Sequence, residues 1–131
     1  MLAERLSLVI QDLVHSDQVG YLKGRNIATL IRSVDDIINY LNETGKSGYL
    51  LACDFYKAYD SISKDYILHT FHVFGFKQDF IKWVKILMSD TKSSINHGGW
   101  ISESFQLTSG IRQGCNFSPL AFVLAVELLA I

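Results

Sequence analysis

The chain has 131 residues, the size of one domain with room for a core of its own. With 49% hydrophobic residues it is not a disordered tail. Its formal charge of -1 and isoelectric point near 6.4 lack the global basic footprint of a free-standing nucleic-acid binder that works by neutralising phosphates, although a local basic strip stays compatible with them. The cysteines, Cys53 and Cys115, are too far apart for a C-x-x-C pair, so neither a zinc knuckle nor a disulfide framework is indicated, and a reduced intracellular setting fits.

The N-terminal "MLAERLSLVIQDLV" interrupts its apolar residues with Glu4, Arg5, Gln11 and Asp12, unlike the unbroken core of a signal peptide. Leu2, Leu6, Val9, Ile10 and Leu13 recur at helical spacing and predict one short amphipathic helix. Glycines in "HSDQVGYLKGRN" break that pattern. Asn26 then caps a second helix whose stripe is Ile27, Leu30, Ile31, Val34, Ile38 and Leu41, with Gly45 as its left-handed stop.

"YLLACDF" is apolar without alternation, the pattern of a central strand covered on both faces. Two helices follow, "SKDYILHTFHVF" and "KQDFIKWVKILMSD", parted by Gly75. "SSINHGGWISESFQL" predicts a hairpin turning at Gly98 and Gly99. Ser118 and Pro119 read as the cap and first turn of a last, very apolar helix. Its longest apolar stretch, residues 119–126, falls short of the roughly 20 residues that span a bilayer, so a soluble chain is expected. No repeat or linker divides the sequence, and the order of elements predicts an α+β arrangement in place of alternating βαβ units.

The chemistry concentrates at Asp54. A carboxylate at the mouth of an apolar strand pays a desolvation penalty unless donors or a cation offset it. Two readings stand: Asp54 caps the strand or pairs with Lys57, or it helps to hold magnesium, a hard ion usually bound by one or two protein carboxylates plus substrate phosphates. His69 and His72 lie one turn apart with no third ligand nearby, which favours a helix-surface role. Cys53 and Cys115 read as buried or pocket thiols, with no basic neighbour to activate Cys53.

"DFYKAYDSI" resembles the first catalytic motif of reverse transcriptases of non-LTR (LINE-type) retrotransposons. "SGIRQGCNFSPLAFVLAVELLA" is similar to that family's second motif, a glycine-rich turn leading into an apolar helix. "DQVGYLKGRN" resembles its fingers segment, in which an aromatic and a glycine precede a basic Gly-Arg pair. The motifs stand in the family's order, with the "GW" hairpin between the two catalytic motifs, and together cover nearly the whole chain.

The resemblance implies an α+β fold of fingers (residues 1–47) and partial palm (residues 48–131). Asp54 would be the first metal-binding aspartate of a two-metal site that takes Mg2+, with the Phe55 backbone beside it. Tyr59 would lie under the sugar of the incoming nucleotide and exclude a 2'-hydroxyl by bulk. Asp60 fits the motif as well, more simply as an exposed turn aspartate. Gln113 and Gly114 would line the nucleotide and template pocket, glycine allowing close approach, and Arg112 would contact phosphate or template. Lys23 and Arg25 sit in a loop before a helix, a setting suited to nucleotide phosphates; a solvated turn is the plain alternative. Asn116 and Phe117 stand where the family usually has Pro and Leu, which predicts a looser turn.

The family's third motif, an aromatic, a variable residue and two aspartates on a hairpin beside the first-motif strand, is absent from these residues. Asp35 and Asp36 lie upstream on a helix without its tyrosine. Two classes therefore follow: part of an RNA-directed DNA polymerase working with an RNA template, a DNA primer and deoxynucleotides in the cytoplasm or nucleus, or a non-catalytic remnant that binds nucleic acid or protein. In either case the isolated chain, without the rest of the palm and the thumb, is expected not to extend a primer and to behave poorly in solution.

Overall fold

The computed structural model describes residues 1–130 of the chain. Helical periodicity at the N-terminus is realised as two short helices, α1 (Leu2–Ser7) and α2 (Ile10–Leu13), where the spacing predicted one. The break is a tightened turn: the Val9 amide bonds the Leu6 carbonyl and the Asp12 amide bonds the Val9 carbonyl, both three residues back. Leu6, Ile10 and Val14 all stay buried across the break, while Leu8 is left exposed.

Helix α3 (Ile27–Thr44) begins where expected, the Asn26 side chain accepting the Ala28 amide at 2.9 Å. It ends at Gly45, φ 64°, where the Lys46 amide reaches the Leu41 carbonyl and the Gly45 amide that of Asn42. Those two bonds satisfy carbonyls that a helix end cannot pair internally. None of its side chains is buried.

Residues 46–55 carry no helix or strand, so the expected central strand "YLLACDF" does not form. Tyr49, Leu50 and Leu51 are exposed, and so are Cys53 and Asp54. A strand exists only through a ladder with a neighbour, and among the described residues the strands pair with one another and none pairs with this segment. An unalternating apolar run signals burial without saying what does the burying.

The short helix α4 (Ala58–Ser61) leads to α5 (Lys64–Val73), capped by Ser63, and α6 (Gln78–Met88). Four two-residue strands follow: β1 (Lys92–Ser93), β2 (Asn96–His97), β3 (Trp100–Ile101) and β4 (Phe105–Gln106). β1 pairs antiparallel with β4, Lys92 opposite Gln106; β2 pairs antiparallel with β3, His97 opposite Trp100. Gly98 and Gly99, at φ 58° and 86°, form the predicted turn, whose two left-handed residues match the twist of a tight hairpin. The last helix, α7 (Ser118–Ala130), starts at Ser118 itself, so Ser118 is its first residue and not a cap outside it.

One core joins these helices. Leu6, Ile10, Val14, Ile67, Phe71, Phe80, Val84, Phe117 and Leu124 form a single buried cluster drawn from α1, α2, α5, α6 and α7. Phe71 is its hub, stacked on Phe117 at 5.8 Å and edge-on to Phe76 at 5.0 Å. The mixture of helices with small antiparallel ladders is the α+β class that the element order predicted.

Candidate functional site

Three segments that are distant in sequence meet around Tyr59. The first is the chain after Asp54. Lys57 adopts left-handed dihedrals, φ 47° and ψ 51°, uncommon for a residue with a side chain. That turn redirects the extended backbone into α4, and the Ser61 hydroxyl steadies it by donating to the carbonyls of Tyr56 and Lys57 at 2.8 and 2.9 Å. Tyr59, two residues on, is thereby laid against Phe122 of α7 with ring centroids 5.2 Å apart. Phe55 meets the same Phe122 edge-on at 6.0 Å. The last helix thus packs under the first motif as expected, but through Phe122 and without a strand. Because α7 is apolar apart from Ser118 and Glu127, periodicity could not single out Phe122.

The second segment is the loop between β4 and α7. Its Ile111 amide donates to the Tyr59 carbonyl at 2.8 Å, its Gly110 amide to the Ile62 carbonyl at 2.9 Å, and its Ser109 hydroxyl to the Asp60 carbonyl at 3.3 Å. Arg112, Gln113 and Gly114 follow immediately and are exposed. Gly114 has φ 77° with open space around it, room for a ligand to approach the backbone. The predicted loosening at Asn116 and Phe117 does not occur: Phe117 is buried and stacks on Phe71, pinning the end of this loop to the core.

The third is the loop between α2 and α3. The Arg25 guanidinium donates to the carbonyls of His15, Gln18 (2.7 Å), Val14 (3.1 Å) and Gln11 (3.3 Å), so it shapes the loop from within. Lys23 is exposed. Glu127 of α7, itself buried, accepts the His15 amide at 3.0 Å and ties the loop to the last helix. Tyr21, in left-handed conformation at φ 58°, neighbours Tyr59. Burial, with the Tyr21 hydroxyl alongside, pushes the Tyr59 phenol up to about 12. Sequence reasoning gave no role to Tyr21, Phe122 or Glu127; the available signals were the aromatic of the "DQVGYLKGRN" segment for Tyr21 and, for Glu127, a glutamate on an otherwise apolar helix, which demands a polar partner.

Asp54 is exposed, and no ion pair holds it among the described residues. Lys57, the alternative partner, instead lies 5.2 Å from the centre of the Tyr56 ring. Asp60 is exposed, as expected, but lies in the short helix α4 and not in a turn. His69 and His72 are exposed on α5. Cys115 is half-buried, whereas Cys53 is exposed and corrects the expectation of a buried thiol there. No three His, Cys, Asp or Glu side chains gather into a metal cage among the described residues. The Asp54 carboxylate and Phe55 carbonyl are hard oxygen donors of the kind magnesium takes, too few to hold it without a substrate's phosphates. No helix among the described residues is long and apolar enough to cross a membrane.

A family model described as "Reverse transcriptase (RNA-dependent DNA polymerase)" matches residues 1–130. The chain is 26% identical over 123 residues, 94% of its length, to the "Transposon TX1 uncharacterized 149 kDa protein" of Xenopus laevis, of which that match covers 9%. It is 30% identical over 112 residues, 86% of its length, to the "Retrovirus-related Pol polyprotein from type-2 retrotransposable element R2DM" of Drosophila melanogaster, covering 11% of that protein. The corresponding polyprotein from the type-1 retrotransposable element R2 of Popillia japonica is 26% identical over 85 residues, 65% of this chain and 14% of the relative. The chain therefore spans about a tenth of the length of these relatives.

Proposed function

The chain belongs to the reverse transcriptase family, in the retrotransposon branch its relatives represent, and on that premise we propose that it forms the nucleotide pocket of an RNA-directed DNA polymerase. The observation that carries this reading is the seating of the 109–111 backbone on residues 59–62, which joins the loop leading into Arg112, Gln113 and Gly114 to the turn that carries Tyr59. In this reading residues 1–47 are fingers and residues from 48 onward are palm.

The reaction joins a deoxynucleotide to a primer 3'-hydroxyl opposite an RNA template and releases pyrophosphate. The Asp54 carboxylate and the Phe55 carbonyl would hold Mg2+ together with the nucleotide's phosphates. Bound there, the ion supplies activation of the hydroxyl and neutralisation of the leaving group's charge. Tyr59, braced on one side by Phe122, would present its ring to the sugar, so that a 2'-hydroxyl meets bulk where a deoxyribose fits. Gln113 and the bare backbone of Gly114 border the base and sugar. Arg112 and Lys23, both exposed, supply positive charge for phosphates. Arg25 serves the pocket indirectly, by holding the loop that presents Lys23 and Tyr21. With Asp54 the one carboxylate assigned to the metals, residues 1–130 by themselves are expected not to synthesise DNA.

Magnesium-dependent primer extension on an RNA template tests the reading in a complete domain carrying these residues. Asp54→Ala should reduce synthesis by about 100-fold or more, the scale of removing one electrostatic contribution to a transition state. Tyr59→Val should relax discrimination against ribonucleotides. Synthesis undiminished by Asp54→Ala would sink the assignment, and a domain that binds primer and template without extending them would point to a non-catalytic remnant.

A further inference from the structure

Gly110 has closer backbone neighbours than any other glycine of the chain. Its φ is 83°, and a Cβ built there would lie 2.9 Å from the Tyr59 carbonyl oxygen and 3.1 Å from both the Cα and the carbonyl oxygen of Asp60. All three are main-chain atoms, so no side chain can rotate away to make room. Real Cβ contacts below about 3.0 Å essentially never occur, so a methyl group at this position has to lift one segment off the other.

The segments concerned are the two that carry the pocket. α4 is a single turn, whose last carbonyls have no partner inside the helix. The loop supplies those partners: Ser109 donates to Asp60, Gly110 to Ile62 and Ile111 to Tyr59. Gln113 lies only two residues beyond Ile111. Any displacement of the loop therefore passes along a short backbone to Gln113 on one side and, through the Tyr59 carbonyl, to the ring of Tyr59 on the other.

Building on the reverse transcriptase reading above, we propose that Gly110 is a positioning residue for nucleotide selection: its missing Cβ lets the 109–111 backbone seat on the end of α4, and that seating fixes the loop that carries Gln113 relative to the turn that carries Tyr59. Gly110 itself touches no substrate. Its effect is exerted through the placement of Tyr59 and Gln113, so a change here alters how a nucleotide is held more than how fast chemistry runs once it is held.

Two variants separate steric contact from backbone strain. Gly75 has φ 76°, close to that of Gly110, with nothing within 4 Å of a built Cβ; Gly75→Ala therefore carries similar strain and no clash. In amide hydrogen exchange on this chain, the Ile111 amide should be protected, and Gly110→Ala should speed its exchange at least tenfold relative to the Leu124 amide of α7. Gly75→Ala should leave that ratio unchanged. An unprotected Ile111 amide, or a ratio that Gly110→Ala does not alter, overturns the seating.

In a complete domain, Gly110→Ala should raise the KM for thymidine triphosphate at least tenfold on a poly(rA) template with an oligo(dT) primer. It should also reduce the preference over ribothymidine triphosphate, with kcat changing less. A variant that loses kcat alone, with KM and sugar preference intact, overturns the positioning role. Asp54→Ala in parallel keeps the two claims apart: if it preserves synthesis, the reverse transcriptase reading itself fails, whereas if it abolishes synthesis while Gly110→Ala keeps normal KM and preference, only the role of Gly110 fails. Should Gly110→Ala not fold, Ser109→Ala removes one of the three bonds without a clash. A faster Ile111 exchange then supports the seating, and an unchanged ratio overturns it.

Discussion

Helices α3 and α6 display the same sequence signal, an apolar stripe at helical spacing, yet only one stripe is covered. In α6 the stripe of Phe80, Val84 and Met88 is buried against α5 and the aromatic hub at Phe71. In α3 the stripe that includes Ile27, Leu30, Ile31 and Ile38 stays exposed, and none of its residues is buried. Local chemistry is complete in both, since α3 has a side-chain cap at Asn26 and a satisfied C-terminus at Gly45. The contrast separates two causes of helicity: caps and propensity draw the helix, but packing supplies most of its stability. Residues 49–51 belong with α3, since Tyr49, Leu50 and Leu51 too are burial-grade side chains left exposed.

Deleting a large side chain from each region gives the largest test of this contrast. Phe71→Ala should destabilise the chain by about 3–5 kcal/mol, the usual cost of emptying a buried aromatic site, whereas Leu30→Ala should stay within about 0.5 kcal/mol. Urea unfolding followed by circular dichroism reads both, and equal losses would mean that α3 is covered in solution.

Arg25 provides the next test, within a loop instead of a core. Arg25→Ala strands four carbonyls that its guanidinium now serves, and should cost about 1.5–3 kcal/mol, the range for bonds to a charged group. Lys23→Ala should cost under about 0.5 kcal/mol. Limited proteolysis within residues 15–24 should accelerate in the Arg25 variant alone.

Phe122 joins the core to the pocket, so its loss should be smaller in stability and larger in function. Phe122→Ala forfeits two aromatic contacts of roughly 0.5–1.5 kcal/mol each. Released from its brace, Tyr59 should discriminate less well between deoxy- and ribonucleotides in primer extension by a complete domain. Preserved discrimination would show that the brace is not needed.

The smallest effect is one of pH. Tyr59 has its phenol pushed up to about 12 from an ordinary 10.0, so the unfolded chain ionises first and the folded state favours the neutral phenol. Stability from that preference is complete below about pH 10 and is lost as pH rises toward 12. Tyr59→Phe should flatten the alkaline limb of a stability profile, and tyrosinate absorbance should lose its last-titrating component. An unchanged limb would mean that Tyr59 is solvated.

The family was legible in the motifs. "DFYKAYD" and "IRQGCNFSP" identified the family and the segments that meet, and Asn26, Gly45 and the Gly98–Gly99 turn announced local geometry that short-range hydrogen bonds and left-handed glycines enforce. The strand at residues 49–55 was misread because hydrophobicity reports the tendency to be buried, while a ladder requires a named partner. For Arg25 the sequence left a phosphate contact and a solvated turn both open, because it cannot show that nearby backbone carbonyls engage the guanidinium.

From the sequence alone came the family, the α+β class, most helix positions and the candidate site residues, since each follows from patterns within a few turns of chain or from a motif's fixed spacing. Only the tertiary structure decided that Phe122 braces Phe55 and Tyr59, that Glu127 tethers the His15 loop, and that Gly110 seats on α4. These are contacts across about 50 to 112 residues. They depend on how close packing excludes a single Cβ or orients a single ring, and no local periodicity encodes that.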